Sequence, residues 1–251
     1  LKVDKAIGNF SGINAIINQQ NTLISSGSYL ENSAAQSYQW LGTKEKTGFL
    51  LRVYTSHQNV DYALLYKREQ EGHRLGLEVD GEIGSTNFYN EITYLWNTET
   101  ISMPGSYQGN LLKDYFMNVL GASYRFNNDL QLTAEHLFNG VGDPDNLDAS
   151  DIRYKNGVST SLDNHLSAVL LNYEFTPLLI GRYDVKFAWS DSSTQHNFSF
   201  TRSITENTDF NIGGQMNIGK RPNGTSWQNP DIQSEFGRLS NTFYIELKHY
   251  F

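Results

Sequence analysis

Alternation of apolar and polar residues with a period of two recurs along most of this chain, and it limits the fold more than any other feature. A strand sends successive side chains to opposite faces, whereas a helix would scatter such a pattern around its axis. Over residues 72–84, Leu75, Leu77, Val79 and Ile83 share one face and Arg74, Glu78, Asp80 and Glu82 the other. Over 179–190, Leu179, Tyr183, Val185, Phe187 and Trp189 stand opposite Arg182, Asp184 and Lys186. The last segment, 241–251, sets Phe243, Ile245, Leu247 and Phe251 against Thr242, Tyr244, Glu246, Lys248 and Tyr250. The alternation predicts strands over 47–57, 60–69, 72–84, 87–98, 114–126, 130–139, 164–175, 179–190, 194–204, 208–219 and 241–251. A twelfth falls within 3–18, where Val3, Ile7, Ile13, Ala15 and Ile17 keep parity and Phe10 and Ile16 break it.

Composition agrees with an all-β chain of one domain, residues 1–251. Aromatic residues make up 13%, proline is scarce at 5, and charged residues are only 18%. The absence of cysteine excludes a disulfide framework and a zinc ribbon. A net charge of -8 argues against a nucleic-acid surface, which needs basic patches to neutralise phosphates. No apolar run reaches the roughly 18 to 20 residues of a transmembrane helix, a test that strands escape because they alternate. The chain opens at Leu1 with neither a methionine nor a signal peptide, as expected of a processed export or of a piece of a longer protein.

The connections carry a second pattern. Turn-forming residues mark tight turns at 57–59, 84–87, 127–129, 176–178 and 206–209. Between them lie long polar connections at 19–46, 99–113, 140–163 and 220–240, with shorter ones at 70–72 and 191–193. Short turns at one end and mostly long loops at the other, with an even number of strands, would bring both termini to the turn end. On one face aromatics gather near strand ends, among them Phe88, Phe126, Phe175 and Phe210 toward the turns and Phe49, Trp96, Phe138 and Trp189 toward the loops. All six histidines share that face. They look like headgroup contacts more than a converging metal cluster. The other face carries Arg52, Asp61, Lys67, Glu69, Arg74, Glu78, Asp80, Glu82, Glu91, Arg125, Glu135, Glu174, Arg182, Asp184, Lys186, Glu246 and Lys248. That many charges cannot sit in an apolar core, so they imply a wet lumen or a network of pairs.

Taken together, these features resemble a Gram-negative bacterial outer-membrane β-barrel over essentially the whole chain. The terminal strand, with Phe243, Ile245, Leu247, His249 and Phe251, resembles the C-terminal signal read by the barrel-insertion machinery, although His249 departs from the usual tyrosine or apolar residue. The resemblance implies a closed antiparallel transmembrane barrel of about twelve strands. It also implies short periplasmic turns, long extracellular loops, an outer-membrane location and contact with outer-membrane lipid and lipopolysaccharide. Two functions fit it. The first is a porin-like channel for small cationic or neutral solutes, lined by Arg52, Asp61, Lys67, Arg74, Glu78, Asp80, Glu82, Glu91, Arg125, Glu135, Arg182, Asp184, Lys186, Glu246 and Lys248. The alternative is a non-conducting barrel closed by charge pairs that anchors or partners another envelope protein.

Other sites weigh less. Asp143, Asp145, Asp148 and Asp151 in loop 140–163 lack the calcium-loop pattern, since Leu147 takes the third ligand position and the glycine is missing. They read as a solvated acidic loop, one that can fold into the mouth of a barrel. The strongest catalytic set resembles the outer-membrane phospholipase: His136, Asn118 and Ser167 share the outward face of neighbouring strands. That family places its serine two residues after the histidine, where Phe138 stands here. The chain is accordingly read as not an enzyme, without catalytic residues, metal ligands or cofactor, and no Walker, dinucleotide or HExxH motif is present.

Overall fold

The computed structural model describes residues 2–7, 10–27, 38–68, 72–97, 114–147, 150, 151, 154, 159–223 and 231–250. Its strands are β1 (Lys2–Ile7), β2 (Ser11–Gly27), β3 (Tyr38–His57), β4 (Val60–Arg68), β5 (Gly72–Ile83), β6 (Thr86–Asn97), β7 (Tyr115–Arg125), β8 (Leu130–Asn139), β9 (His165–Thr176), β10 (Leu179–Ala188), β11 (Thr194–Thr205), β12 (Thr208–Ile218) and β13 (Thr242–His249). From β4 onward they fall where the alternation places them, and β3 contains the expected strand 47–57 but starts nine residues earlier.

The N-terminal region departs from the sequence expectation. The single strand expected within 3–18 is a hairpin, with β1 and β2 in register from Lys2↔Ile16 to Ile7↔Ser11. Phe10, which breaks the parity, lies in the turn. A turn restarts the alternation, so the parity break marks a chain reversal and not a weak strand. The expected loop 19–46 is also partly strand, because β2 pairs with β3 as far as Gly27↔Tyr38. Backbone hydrogen bonds carry a ladder through a polar stretch such as Gln19, Gln20 and Asn21, where no apolar face exists to reveal a period.

The strand order follows the chain from β1 to β13 in one sheet that is not closed. An all-antiparallel meander closes only with an even number of strands, since its first and last members must run in opposite directions to pair. The additional N-terminal strand makes the number odd. The closed twelve-stranded transmembrane barrel is therefore corrected to an open sheet of thirteen strands, and the likeness to outer-membrane barrels falls with it. The outer-membrane location, with its periplasmic turns and extracellular loops, rested on closure and loses its basis. No helix among the described residues is long and apolar enough to cross a membrane, a fact that does not bear on strands.

Contacts divide the chain into two compact units, Leu1–Val79 with Ile92–Phe116, and Asp80–Glu91 with Met117–Phe251. In the first unit, rings on one face form a run. The Phe49 and Tyr66 centroids lie 6.3 Å apart, Tyr66 and His73 5.9 Å, and His73 and Trp96 5.7 Å. The Tyr66 hydroxyl meets His73 Nδ1 at 2.6 Å, which satisfies a polar ring among apolar neighbours. The other face holds Arg52, whose Nε and Nη2 both donate to Glu78 Oε2, at 3.2 and 2.9 Å.

Hairpin turns are set by local chemistry. His57 pairs with Val60 across Gln58 and Asn59, which adopt φ of 49° and 64°. Two consecutive left-handed residues match the right-handed twist of the strands they join. Gly84 takes φ 63° in the next tight turn, a conformation free of Cβ strain only for glycine.

The second unit has its tightest packing at the end of the sheet where the long connections meet. Leu162, Ala188, Val141, Phe236 and Ile232 are buried there, together with Asn139, Asp163, Ser161, Ser193 and Ser234. The polar groups are satisfied by one another. The Asn139 amide donates to Ser159 Oγ at 2.9 Å and to Ser161 Oγ at 2.9 Å. Asp163 accepts from the Ser190 hydroxyl at 2.6 Å and the Ser190 amide at 2.9 Å. Glu235 Oε2 accepts from the amides of Leu162 and Asp163 at 2.6 and 2.9 Å, and its own amide donates to Asp191. One carboxylate thereby fastens connections that lie more than seventy residues apart. Burial pushes its pKa up, against the downward pull of the two amides and of Arg238. Arg238 reaches Asp151 Oδ1 at 3.3 Å. The solvated acidic loop is thus corrected at Asp151, which is buried and ion-paired, while Asp145 is exposed and Asp148 lies outside the described residues.

Candidate functional site

Beyond this cap, the polar face of the second unit opens into a concavity of about 630 Å³. Antiparallel register lines up its floor in two rows. One row runs Gln131, Asn172, Arg182, Ser199, Gly213, Tyr244, each the direct cross-strand partner of the next from β8 to β13. The adjoining row runs Thr133, Leu170, Asp184, Asn197, Gln215, Thr242 in the same way. With strands about 4.8 Å apart, each row spans roughly 24 Å. Every one of these residues except Gly213 lines the concavity.

The side chains fall into two classes. Toward the cap the amides are committed to one another. Gln195 Nε2 donates to Asn217 Oδ1 at 3.0 Å, Gln215 Nε2 donates to the same oxygen at 3.3 Å, and Asn217 Nδ2 donates to Ser240 O at 2.8 Å. Asn197 Nδ2 donates to Asp184 Oδ2 at 2.7 Å. Toward the open part the groups are uncommitted. Asn172 Oδ1 is buried with no hydrogen-bond partner. Its cross-strand neighbour Arg182 is exposed and forms no ion pair with a described residue. Gly213 gives this floor its depth, because a Cβ there would stand 2.5 Å from Tyr244 Oη.

Register places the remaining expected charges of this unit on the same polar face. Arg125 pairs with Gln131, Glu135 with Ala168, Lys186 with Ala168 and Gln195, and Glu246 with Asn211. They do not converge. Arg125 bonds Asp129 at 3.3 Å, the Tyr89 hydroxyl donates to Glu135, and Lys248 bonds Glu246 at 3.1 Å, which pushes the lysine pKa up. Asp80, Glu82 and Glu91 lie on β5 and β6, away from the concavity. In the first unit Asp61 and Lys67 share a strand with parity matching Arg52, Glu78 binds Arg52, and Arg74 lies on β5. Glu69 lies outside the described residues. The open sheet encloses no channel for these residues to line, so the channel is corrected, as is the closed barrel serving as an anchor.

Of the terminal set, Phe243, Ile245 and Leu247 are 67, 72 and 65% exposed on the apolar face of β13, His249 Nδ1 meets Thr208 Oγ1 at 2.9 Å, and Phe251 lies outside the described residues. No group of three or more metal-ligating side chains converges among the described residues.

The amide and hydroxyl floor does not stand out in the sequence, because uncharged polar side chains are ordinary on any solvated strand face. The signal was present: Gln131, Asn172, Asn197, Ser199 and Gln215 share the parity of Arg182 and Asp184. No protein-family model matches this chain, and no curated protein matches it either.

Proposed function

We propose that the polar face of β8–β13 binds a small, hydroxyl-rich ligand carrying one negative group, of the sugar-acid class. The observation that supports this reading is the pairing, on adjacent strands, of an uncommitted guanidinium at Arg182 with a buried, unpartnered amide oxygen at Asn172. A guanidinium matches a carboxylate in two parallel hydrogen bonds, and a buried acceptor without a donor is costly until one arrives. A hydroxyl next to a carboxylate supplies both needs at once. Asp184, whose Oδ2 is taken by Asn197, keeps Oδ1 to accept from a further hydroxyl. The concavity lies within the size range of small-molecule sites, and its one acid and one base offset each other.

Calorimetric titration of the folded chain with glucuronate and with glucose tests the proposal. Glucuronate binds more tightly by about tenfold or more, as one charge-assisted pair implies. Arg182→Gln removes the difference. Equal binding of the two sugars, or no binding of either, overturns the assignment.

A further inference from the structure

On the opposite, apolar face, β8 and β9 bring His136 and Ser167 together as direct cross-strand partners, and the loop that follows β10 adds Trp189. Ser167 Oγ stands 2.9 Å from His136 Nδ1, Trp189 Nε1 donates to the same Oγ at 2.9 Å, and His136 Nε2 meets His165 Nδ1 at 3.2 Å. Hydroxyl–imidazole pairs recur on this face, at Tyr66 with His73, Tyr183 with His196 and Thr208 with His249, so pairing alone distinguishes nothing. Polarity does. An indole nitrogen can only donate. Ser167 therefore accepts from Trp189 and keeps its own proton to donate to His136 Nδ1 when that nitrogen is unprotonated. In that tautomer His136 carries its proton on Nε2 and donates it to His165 Nδ1. The bonds then run from indole to hydroxyl to base to second imidazole.

We propose that Ser167 is a nucleophile toward small esters with apolar acyl groups, with His136 its general base and Trp189 and His165 positioning residues. The serine is half-buried, as is His136. Leu120 and Val169, 54 and 38% exposed, are cross-strand or next-row neighbours that offer the acyl group an apolar bed. Asn118, which shares this outward face, is committed elsewhere, since its amide donates to Glu91 O at 3.1 Å. His165 backs the base in its place. Rigidity comes from the cap: the Trp189 amide donates to His165 O at 3.1 Å, and Asp163 Oδ1 holds the His165 amide at 3.1 Å.

In the step itself, Oγ bonds to the ester carbonyl carbon while its proton passes to His136 Nδ1, and the carbonyl electron pair moves onto oxygen. Collapse of the adduct breaks the carbon–alkoxide bond, and His136 returns the proton to the departing alkoxide. Water repeats the sequence on the acyl-serine and frees the acid, so no further reactant is needed.

Diisopropyl fluorophosphate tests the nucleophile directly, since attack forms an Oγ–P bond and expels fluoride. Peptide mapping by mass spectrometry should locate the adduct on Ser167 and not on Ser199 of the polar face. Labelling should be lost in Ser167→Ala and slowed about 100-fold in His136→Ala. Trp189→Phe should lower the limiting rate of labelling with little change in the reagent concentration that half-saturates it, and hydrolysis of 4-nitrophenyl butyrate should fall in parallel. Far-UV circular dichroism verifies the fold of each variant. No adduct on Ser167 in the folded chain, or unchanged labelling in folded His136→Ala, overturns the proposal. Sugar-acid binding at Arg182 is read separately and is expected to survive all these substitutions.

Discussion

Glu235→Ala removes the acceptor shared by two amides in the most buried part of the molecule, and the consequence can be worked from the geometry. Leu162 and Asp163 are 0 and 1% exposed, and their N–H groups reach Glu235 Oε2 at 2.6 and 2.9 Å. An orphaned buried donor costs about 1–3 kcal/mol. Two of them would cost more, but removing the carboxylate also relieves the desolvation that holds its pKa up. Arg238 keeps Asp151 at 3.3 Å and the Tyr154 ring at 4.5 Å, so it is not left bare. The net local loss is about 2–4 kcal/mol, which corresponds to roughly 30- to 700-fold faster amide exchange at one decade per 1.4 kcal/mol. Hydrogen exchange at Leu162 and Asp163, followed by NMR or fragment mass spectrometry, reads this directly, with the strands around the concavity as internal controls. Glu235→Gln keeps an acceptor oxygen and isolates the charge. Because the folded pKa is raised, the protonated form is favoured in the folded chain. Stability from this group is complete below the unfolded carboxyl value of 4.5 and is lost as pH rises through the folded value. The cap in the native chain should open more readily as pH climbs above that window, and in Glu235→Gln that slope should vanish. Unchanged exchange at both amides in Glu235→Ala would refute the clasp, and an identical pH slope in Glu235→Gln would refute the role of its charge.

Three further outcomes follow from single features. Gly213→Ala sets a methyl 2.5 Å from Tyr244 Oη and 2.6 Å from Phe198 O, so urea unfolding should show a loss of about 1–3 kcal/mol together with weaker glucuronate binding. A double-mutant cycle on Arg52 and Glu78, whose side chains are 36 and 33% exposed, should give a coupling of only about 0.2–1 kcal/mol, because solvent screens the pair; a value above about 2 kcal/mol would show it to be drier than its exposure implies. The apolar face of β11–β13 aligns Phe198, Gly214 and Phe243 in one row and Phe200, Ile212 and Ile245 in the next, with Phe200, Ile212, Phe243 and Ile245 exposed. It should bind anilinonaphthalene sulfonate in the folded state, and Ile245→Lys should reduce the fluorescence without changing the far-UV spectrum.

The sequence determined the strands and their two faces. Period-two parity put Arg182, Asp184 and Lys186 opposite Tyr183, Val185 and Phe187, and the register keeps them apart on β10. This was legible because alternation is a local property, fixed by backbone geometry before any strand finds its neighbour. The turns were equally legible, since Gln58, Asn59, Gly84 and Asp129 take positive φ where turn chemistry places the reversals.

Closure was not legible. It depends on whether the first and last strands pair, and one hairpin within 3–18 made the number odd, so that they cannot pair antiparallel. Nor was either candidate site. Asn172 and Arg182 are ten residues apart in the chain and Ser167 and His136 thirty-one, and each pair meets only through cross-strand register, which a one-residue slip would send to opposite faces. The Glu235 clasp is further from the sequence still, because a carboxylate in a polar connection gives no sign of which distant amides it will accept from. Side-chain direction is written residue by residue along the chain, whereas partnership between strands and loops is decided by the sum of all contacts, and only the tertiary structure records that sum.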